Sequence, residues 1–405
     1  MTTNNRAHAT LSASGAERWI NCPGSVKMAA HFPSQSSAAA EEGTLAHELA
    51  AFKIEHREEI DQKNDDAAAV SFTAGIGQIK KEVDGFYQEH PELDDDFAYM
   101  NKTLEPYIDY VAREYQEALK ADEAAVLMTE QRVDFSDIVP EGFGTSDVII
   151  IGGGRVTVID LKYGKGVAVS AKDNPQIRLY ALGAINLFDM IYDFDRVKMV
   201  IYQPRRDSVT EEEMPVDDLK AWAEAVVKPA AEKALSDNPP YHPGDWCDSH
   251  FCPGAGVCKA RANFCLGLER HSGKDPALLT DEEISDALQR AEALRSFAKK
   301  LNDYALGEIQ TGHPIPGWKV VEGKTIRAYT DLDKVAEAAI AAGYPEALIY
   351  QRSLIGITGM EKLMGKKKFQ EVLGKLVEKP QGAPKLAPES DERPAFNSAK
   401  ADFDD

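Results

Sequence analysis

Nothing in the 405 residues approaches the unbroken apolar run of about 20 residues that a membrane-spanning helix requires. No membrane partner is expected. Residues 1–10 are polar and lack the basic, apolar and small-residue succession of a secretory signal, so a cytoplasmic location is the expectation. An excess of positive charge is missing too: 46 Lys and Arg stand against 67 Asp and Glu, a formal net charge of −21. That argues against a surface that coats nucleic acid indiscriminately, because such affinity comes from Lys and Arg neutralising phosphates. A narrow channel with its own basic lining stays open, since binding follows the local field and not the sum. Cysteine is scarce, with five in the chain, yet four of them fall between Cys247 and Cys265 and the fifth, Cys22, lies far upstream. In a reducing compartment this crowding points to metal more than to disulfides. Paired Cys-x2-Cys knuckles, the strong mark of a zinc ribbon, are absent. The glycine run Gly152-Gly153-Gly154 lacks the Lys-Ser/Thr ending of a phosphate-binding loop and reads as a hairpin turn.

What is present is ample for a core, with 43% hydrophobic residues over a length that suggests two or three domains. Residues 11–60 read as two helices around a polar linker, with Thr44 as a cap for the helix carrying His47 and Glu48. A long helical stretch is expected over 76–122, then strands over 126–169 where Val, Ile and Thr dominate. Asn174 and Pro175 fit the N-cap and first position of a helix reaching about 187. A strand over 197–203 and a helix over 216–234 follow. Past a Pro-rich approach and the cysteines, two helices over about 281–310 and a β-like piece over 318–329 suggest a smaller second domain. The division expected is 1–272, 273–378 and a disordered, Pro-rich and charged tail over 379–405.

The chemistry centres on Gly144-Thr145-Ser146-Asp147 and on Asp160-Leu161-Lys162. Side chains alternate along a strand, so Asp160 and Lys162 share a side. A hairpin turning at Gly152–Gly154 brings Asp147 opposite Asp160, and two carboxylates then converge with an ammonium. Oxygen ligands of this kind suit Mg2+ or Mn2+. A bound metal of that type polarises a phosphate and activates a water, and a lysine stabilises the charge that develops. Taken alone, Asp-x-Lys at a strand end is often only a solvated ion pair.

The neighbours add a resemblance. Glu42-Gly43-Thr44-Leu45-Ala46-His47-Glu48, then Glu130, Gly144-Thr145-Ser146-Asp147, Asp160-Leu161-Lys162-Tyr163-Gly164 and Gln176-Ile177-Arg178-Leu179-Tyr180 resemble, in order, the motifs of RecB-like nucleases of the PD-(D/E)XK superfamily. The resemblance covers about residues 10–265. It implies an α/β restriction-endonuclease-like core, a central mixed sheet flanked by helices, with a smaller C-terminal α+β extension. It further implies that His47, Asp147 and Asp160 bind metal, with the Leu161 carbonyl as a further ligand. Lys162 would be the catalytic lysine, and Gln176 and Tyr180, which share a helix face, would support the site or the DNA backbone. Glu130 is either a further acidic helper or a strand-edge charge.

Iron–sulfur members of that family hold a 4Fe–4S cluster with one cysteine before the core and three after it. Cys22, Cys247, Cys252 and Cys258 fit these places by resemblance. The gap from Cys247 to Cys252 is two residues longer than the usual form, which leaves Cys265 as an alternative to Cys247. Zn2+ in the four close cysteines is the competing reading. Gly317-Trp318-Lys319-Val320-Val321-Glu322-Gly323 and Pro388-Glu389-Ser390-Asp391-Glu392-Arg393-Pro394 resemble the tail of a phage and prophage protein family. The expectation is a Mg2+- or Mn2+-dependent deoxyribonuclease, an exonuclease processing DNA ends in phage replication or recombination, with DNA and phage replication proteins as partners. The alternatives are a nuclease fold serving as a DNA-binding scaffold without cleavage, and a zinc-stabilised phage structural protein. Lys165, Lys172, Arg178, Arg205 and Arg206 are the basic candidates for a DNA path, and Lys366-Lys367-Lys368 is a weaker one.

Overall fold

The structure is a computed structural model that describes residues 9–33, 37–57, 66–93, 95–267, 279–321, 332–342 and 357–377. It divides into two compact units, Met1–Val320 and Val321–Asp405. The expected tail over 379–405 and most of the β-like piece over 318–329 lie outside the described residues.

The first unit is a five-stranded mixed sheet between helical layers. Its strands are β1 (Val126–Asp134), β2 (Phe143–Gly152), β3 (Arg155–Leu161), β4 (Arg196–Gln203) and β5 (Ser208–Pro215), adjacent in that order. All neighbours run antiparallel except β3 and β4. Gly153 and Gly154 both take positive φ, +60 and +74, the requirement of a type I′ hairpin turn between β2 and β3. The parallel β3–β4 step is bridged by a helix over Pro175–Phe188, capped by Asn174, whose side chain accepts from the Gln176 and Ile177 amides.

Ahead of the sheet lie α1 (Ala16–Asn21), α2 (Gly24–Ala29), α3 (Ala38–Glu55), α4 (Asp66–Glu89) and α5 (Phe97–Ala121). The bridging helix is α6. Beyond β5 come α7 (Val216–Trp222) and α8 (Lys228–Ala234), joined by a π-helical turn over Ala223–Val227. That turn sits just before Pro229, which has no N–H to offer a carbonyl four residues back. Then follow α9 (Trp246–Ser249), α10 (Lys259–Leu266) and α11 (Asp281–Gln310). One apolar layer joins α1, α6, α7 and α8 to one side of the sheet, through Trp19, Val156, Val158, Ile177, Leu182 and Val197. The other joins α3, α4 and α5 to the opposite side, through Leu49, Val83, Leu104, Tyr107, Ile150 and Ile159. The second unit contributes α12 (Leu332–Ala341), α13 (Ile357–Met364) and α14 (Lys366–Leu373).

Several expectations change here. Thr44 caps nothing: it lies inside α3, where its hydroxyl donates to the Ala40 carbonyl at 3.1 Å, and Ser37 is the cap. The stretch over 76–122 is two helices, because the residue before Pro91 is pushed out of helical geometry. Residues 281–310 form one helix, started by a Thr280–Glu283 capping box and free of proline throughout. The strand β5 went unread because its Ser-Val-Thr-Glu-Glu-Glu sequence has acidic residues where a buried strand would have β-branched ones. As an edge strand, it tolerates that charge.

Candidate metal centre and cysteine staple

Strand β2 pairs with β1 along nearly its whole length but with β3 only from Val148 onward. The ladder therefore opens at Asp147, and the opening is filled by its own side chain: Asp147 Oδ2 accepts from the Leu161 amide at 2.6 Å. Asp147 Oδ1 lies 3.1 Å from His47 Nδ1, carried on α3. Glu130 falls between the β1–β2 pairs Thr129–Val148 and Gln131–Ser146, opposite Asp147. His47, Glu130 and Asp147 offer one nitrogen and two oxygens within 4.8 Å of one another.

Glu130 owes its place to the backbone. It has φ +45, the left-handed region that non-glycine residues rarely enter. Upstream, Leu127 packs into the layer of α3 to α5; downstream, Val133 lies in the layer of α6. On a regular strand these two odd-numbered positions would face the same way. The alternation reverses at the left-handed residue, as in other functional sites where strain is held by the surrounding structure. Opposite, Gly144 lets Tyr180 of α6 approach, since a Cβ there would lie 2.6 Å from Tyr180 Cε1.

A second chain of contacts begins at Asp160. Lys162 Nζ lies 2.9 Å from Asp160 Oδ2 and donates to Oδ1 at 3.2 Å and to Gln176 Oε1 at 3.1 Å. Gln176 Nε2 bridges Asp160 Oδ1 at 3.3 Å and Tyr180 Oη at 3.2 Å. Asp160 is only 3% exposed, and its Oδ2, which has no aligned hydrogen bond, is met by the Lys162 ammonium at 2.9 Å. The imidazole and two carboxylates of the His47–Glu130–Asp147 group, with the Asp160 carboxylate nearby, are donors of the kind that suits a hard divalent cation such as Mg2+ or Mn2+.

The electrostatics are those of crowded acids. Burial raises Asp160 above the usual carboxylate range, against the pull of Lys162 and with the push of Asp147. Burial and the Asp147 charge raise Glu130 likewise. For His47 and Lys162, burial disfavours the charged form, but the neighbouring Asp147 and Asp160 carboxylates outweigh it and both sit above their ordinary values. Tyr180 is pushed up to about 12 by burial and by Asp160.

The structure thus places His47, Glu130 and Asp147 in one group and Asp160, Lys162, Gln176 and Tyr180 in a second, with the Leu161 amide joined to Asp147 between them. The basic path fares differently. Arg178 is buried and bonded to Glu212 and Asp173, at 2.8 Å each. The Arg205 side chain is 2% exposed and held by Glu42 at 2.6 Å and by Asp95. Both are internal ties, so neither faces DNA. Of the others, Lys165 is paired with Asp95 at 2.8 Å, Arg206 donates to the Lys165 and Gly166 carbonyls, and Lys172 is exposed. Lys367 and Lys368, on α14, are exposed as well. Two residues were missed. Tyr107 is buried within range of Asp147, Asp160 and Glu130, and burial with those charges raises it well above a free tyrosine. Glu42 accepts from Tyr87 Oη at 2.9 Å and ties α3 to Arg205 five residues ahead of His47. Nothing in spacing alone distinguishes either from ordinary core or helix-surface residues.

The cysteines gather where α1 and α2 meet the segment after α8. The Gly24 amide donates to the Pro240 carbonyl at 2.8 Å, Lys27 Nζ to the Asp237 carbonyl at 2.9 Å, and Arg18 Nη1 to the His250 carbonyl at 3.1 Å. The His242 amide donates to Cys22 Sγ at 3.4 Å. Burial raises the Cys22, Cys247 and Cys252 thiols, and their mutual charges add to it: Cys22 feels Cys247 and Cys252, while Cys247 and Cys252 both feel Cys258. Cys265 is fully buried in α10, where burial raises it, and of the other thiols its leading influence is Cys247 alone. The two extra residues between Cys247 and Cys252 are taken up by the single turn α9 and by Phe251, in left-handed conformation at φ +48. Cys22, Cys247, Cys252 and Cys258 lie within electrostatic reach of one another, and thiols so placed are of the kind that holds a metal or iron–sulfur centre.

The chain matches the family model described as protein of unknown function DUF2800 over residues 8–394, and it belongs to that family. Among solved structures it is similar to a protein from Eubacterium rectale provisionally named an exonuclease. The identity is 10%, over 70% of this chain and 98% of that one, at a TM-score of 0.34. It is also similar to SSO0001, with 21% identity over 43% of this chain and 79% of that one, at a TM-score of 0.19. Neither likeness is close enough for the fold or activity of those proteins to be read onto this chain. Among the described residues, no helix is long and apolar enough to cross a membrane.

Proposed function

We propose that this protein is a metal-dependent deoxyribonuclease of the RecB-like PD-(D/E)XK kind, acting as an exonuclease on DNA ends. The observation that carries the reading is the convergence at the β2–β3 fork of His47, Glu130 and Asp147 with the Asp160–Lys162–Gln176–Tyr180 chain. A surface ion pair needs no such apparatus. His47, Asp147, Asp160 and Glu130, with the Leu161 carbonyl, would hold Mg2+ or Mn2+. When bound, the ion polarises a scissile phosphate and makes water a competent nucleophile at neutral pH. The chain's own residues do the rest. Lys162 is held protonated by Asp160 and fixed by Gln176, so its ammonium is set in advance to meet charge building on the phosphate. Gln176 and Tyr180 lock that lysine in one orientation and close the site toward α6.

In the same reading Cys22, Cys247, Cys252 and Cys258 hold a 4Fe–4S cluster that fastens the N-terminus to the segment following the core. The tail resemblance supports a role in phage DNA replication or recombination.

The test is degradation of end-labelled linear DNA and closed circular DNA by anaerobically purified protein, with Mn2+, Mg2+ or EDTA, alongside Lys162→Ala. Metal-dependent loss of linear DNA alone, absent in the variant, is the expected result. Cutting of circles makes the protein an endonuclease. Retained DNA binding with no cleavage by iron-loaded protein overturns the reading in favour of a scaffold.

A further inference from the structure

Arg178 and Arg205 are spent on carboxylates of the chain itself. Arg132, close to the fork, is not. It is exposed, and among the described residues no acidic side chain forms an ion pair with it. Its guanidinium instead lies over the Phe143 ring, 3.7 Å from the centroid. Arg132 pairs with Thr145 across β1 and β2, two rungs beyond the place where Glu130 faces Asp147. Two rungs span roughly 7 Å, a distance on the scale of one or two nucleotides along a strand.

This arrangement has the marks of a binding group. Contact with the ring restrains the guanidinium, and among the described residues no hydrogen bond engages its donors, which lowers the entropy lost when they engage two oxygens of one anion. The exposed Thr145 stands across the ladder from it. The sheet register holds Arg132 at a constant offset from the acidic centre, which a lysine on a flexible loop could not do. A cation here also offsets the repulsion that Glu130, Asp147 and Asp160 exert on a polyanion.

We infer that Arg132, held over the Phe143 ring, is a phosphate-binding residue that grips the DNA backbone one to two nucleotides from the scissile bond. The inference rests on the nuclease reading for its substrate but is tested apart from cleavage. The measurement is binding of a fluorescent single-stranded and a blunt duplex oligonucleotide, in EDTA, across a salt series, by the wild-type chain, Arg132→Ala, Arg132→Lys and Phe143→Leu. Arg132→Ala should weaken binding about tenfold, the loss of one charge-assisted contact, and reduce the slope of log K against log salt by roughly 0.7 to 0.9. Arg132→Lys should keep the slope yet bind several-fold more weakly, and Phe143→Leu should do the same. Unchanged affinity and slope in folded Arg132→Ala overturns the proposal, as does wild-type protein that binds neither oligonucleotide. If binding falls as predicted but the wild type never cleaves with Mn2+, the contact stands and the nuclease reading fails.

Discussion

The fork and the cysteine staple are both assembled from residues far apart in sequence, but by different means. At the fork, register does the work. Asp147 and Glu130 face each other across one ladder, Asp160 lies on the adjoining strand with Lys162 just past its end, and Gln176 and Tyr180 sit one turn apart on a capped helix. Each of these side chains is set by, or directly adjoins, a regular element buried in one of two apolar layers. The staple has little of this. Its cysteines sit on a one-turn helix, on irregular backbone and at helix ends, and they meet Cys22 through a handful of hydrogen bonds. A site built on register needs only its ligands to be correct, whereas a site built on loops needs its guest to hold it together.

The sharpest way to break the comparison is at the fork. Asp160→Asn should cut cleavage by more than about 10³-fold while circular dichroism and melting stay close to wild type, because its loss removes a ligand and not a layer. A coincident collapse of structure would mean the fork is a scaffold and not a preformed site. At the staple the pattern should invert. Cys22→Ser should lower iron from about four atoms per chain toward zero and loosen the N-terminal helices, read as faster proteolysis near α1 and α2. Unchanged iron removes Cys22 from the ligand set.

A third variant probes the tie between α3 and the sheet. Arg205→Met removes the guanidinium shared by two buried carboxylates, leaving Glu42 to the Tyr87 hydroxyl and Asp95 to Lys165, and should cost up to about 3–5 kcal/mol by denaturant titration. Less than about 1 kcal/mol would show the network to be dispensable. The smallest effect is expected from Gly144→Ala. The added methyl must displace the Tyr180 ring, at about 1–3 kcal/mol, and cleavage should fall more than stability alone explains. Wild-type activity would mean Tyr180 does not help to set Lys162.

The same contrast governs what the sequence discloses. The hairpin at Gly153–Gly154, the cap at Asn174 and the convergence of Asp147 with Asp160 and Lys162 are legible because alternation and turn chemistry are local rules. Glu130 is legible only as a charge near a strand. Its left-handed backbone, which reverses the alternation and turns it to Asp147, is a tertiary effect with no composition of its own. Arg178 and Arg205 misled for a related reason: an arginine reads as a surface cation until Glu212, Glu42 and Asp95 are brought beside it by strands and helices distant in sequence. The edge strand β5 was hidden by the acidic residues that an edge permits.

The central claim is that the fork is a divalent-metal site that cleaves DNA, and its most direct test begins with the metal. Mn2+ binding followed by electron paramagnetic resonance, for the wild-type chain and for Asp147→Asn with the cysteine centre left loaded, isolates the fork from the staple. The account predicts tight Mn2+ binding that disappears in Asp147→Asn together with DNA cleavage. Mn2+ binding that survives the substitution unchanged, or that never rises above the weak uptake of exposed acidic groups, would contradict it.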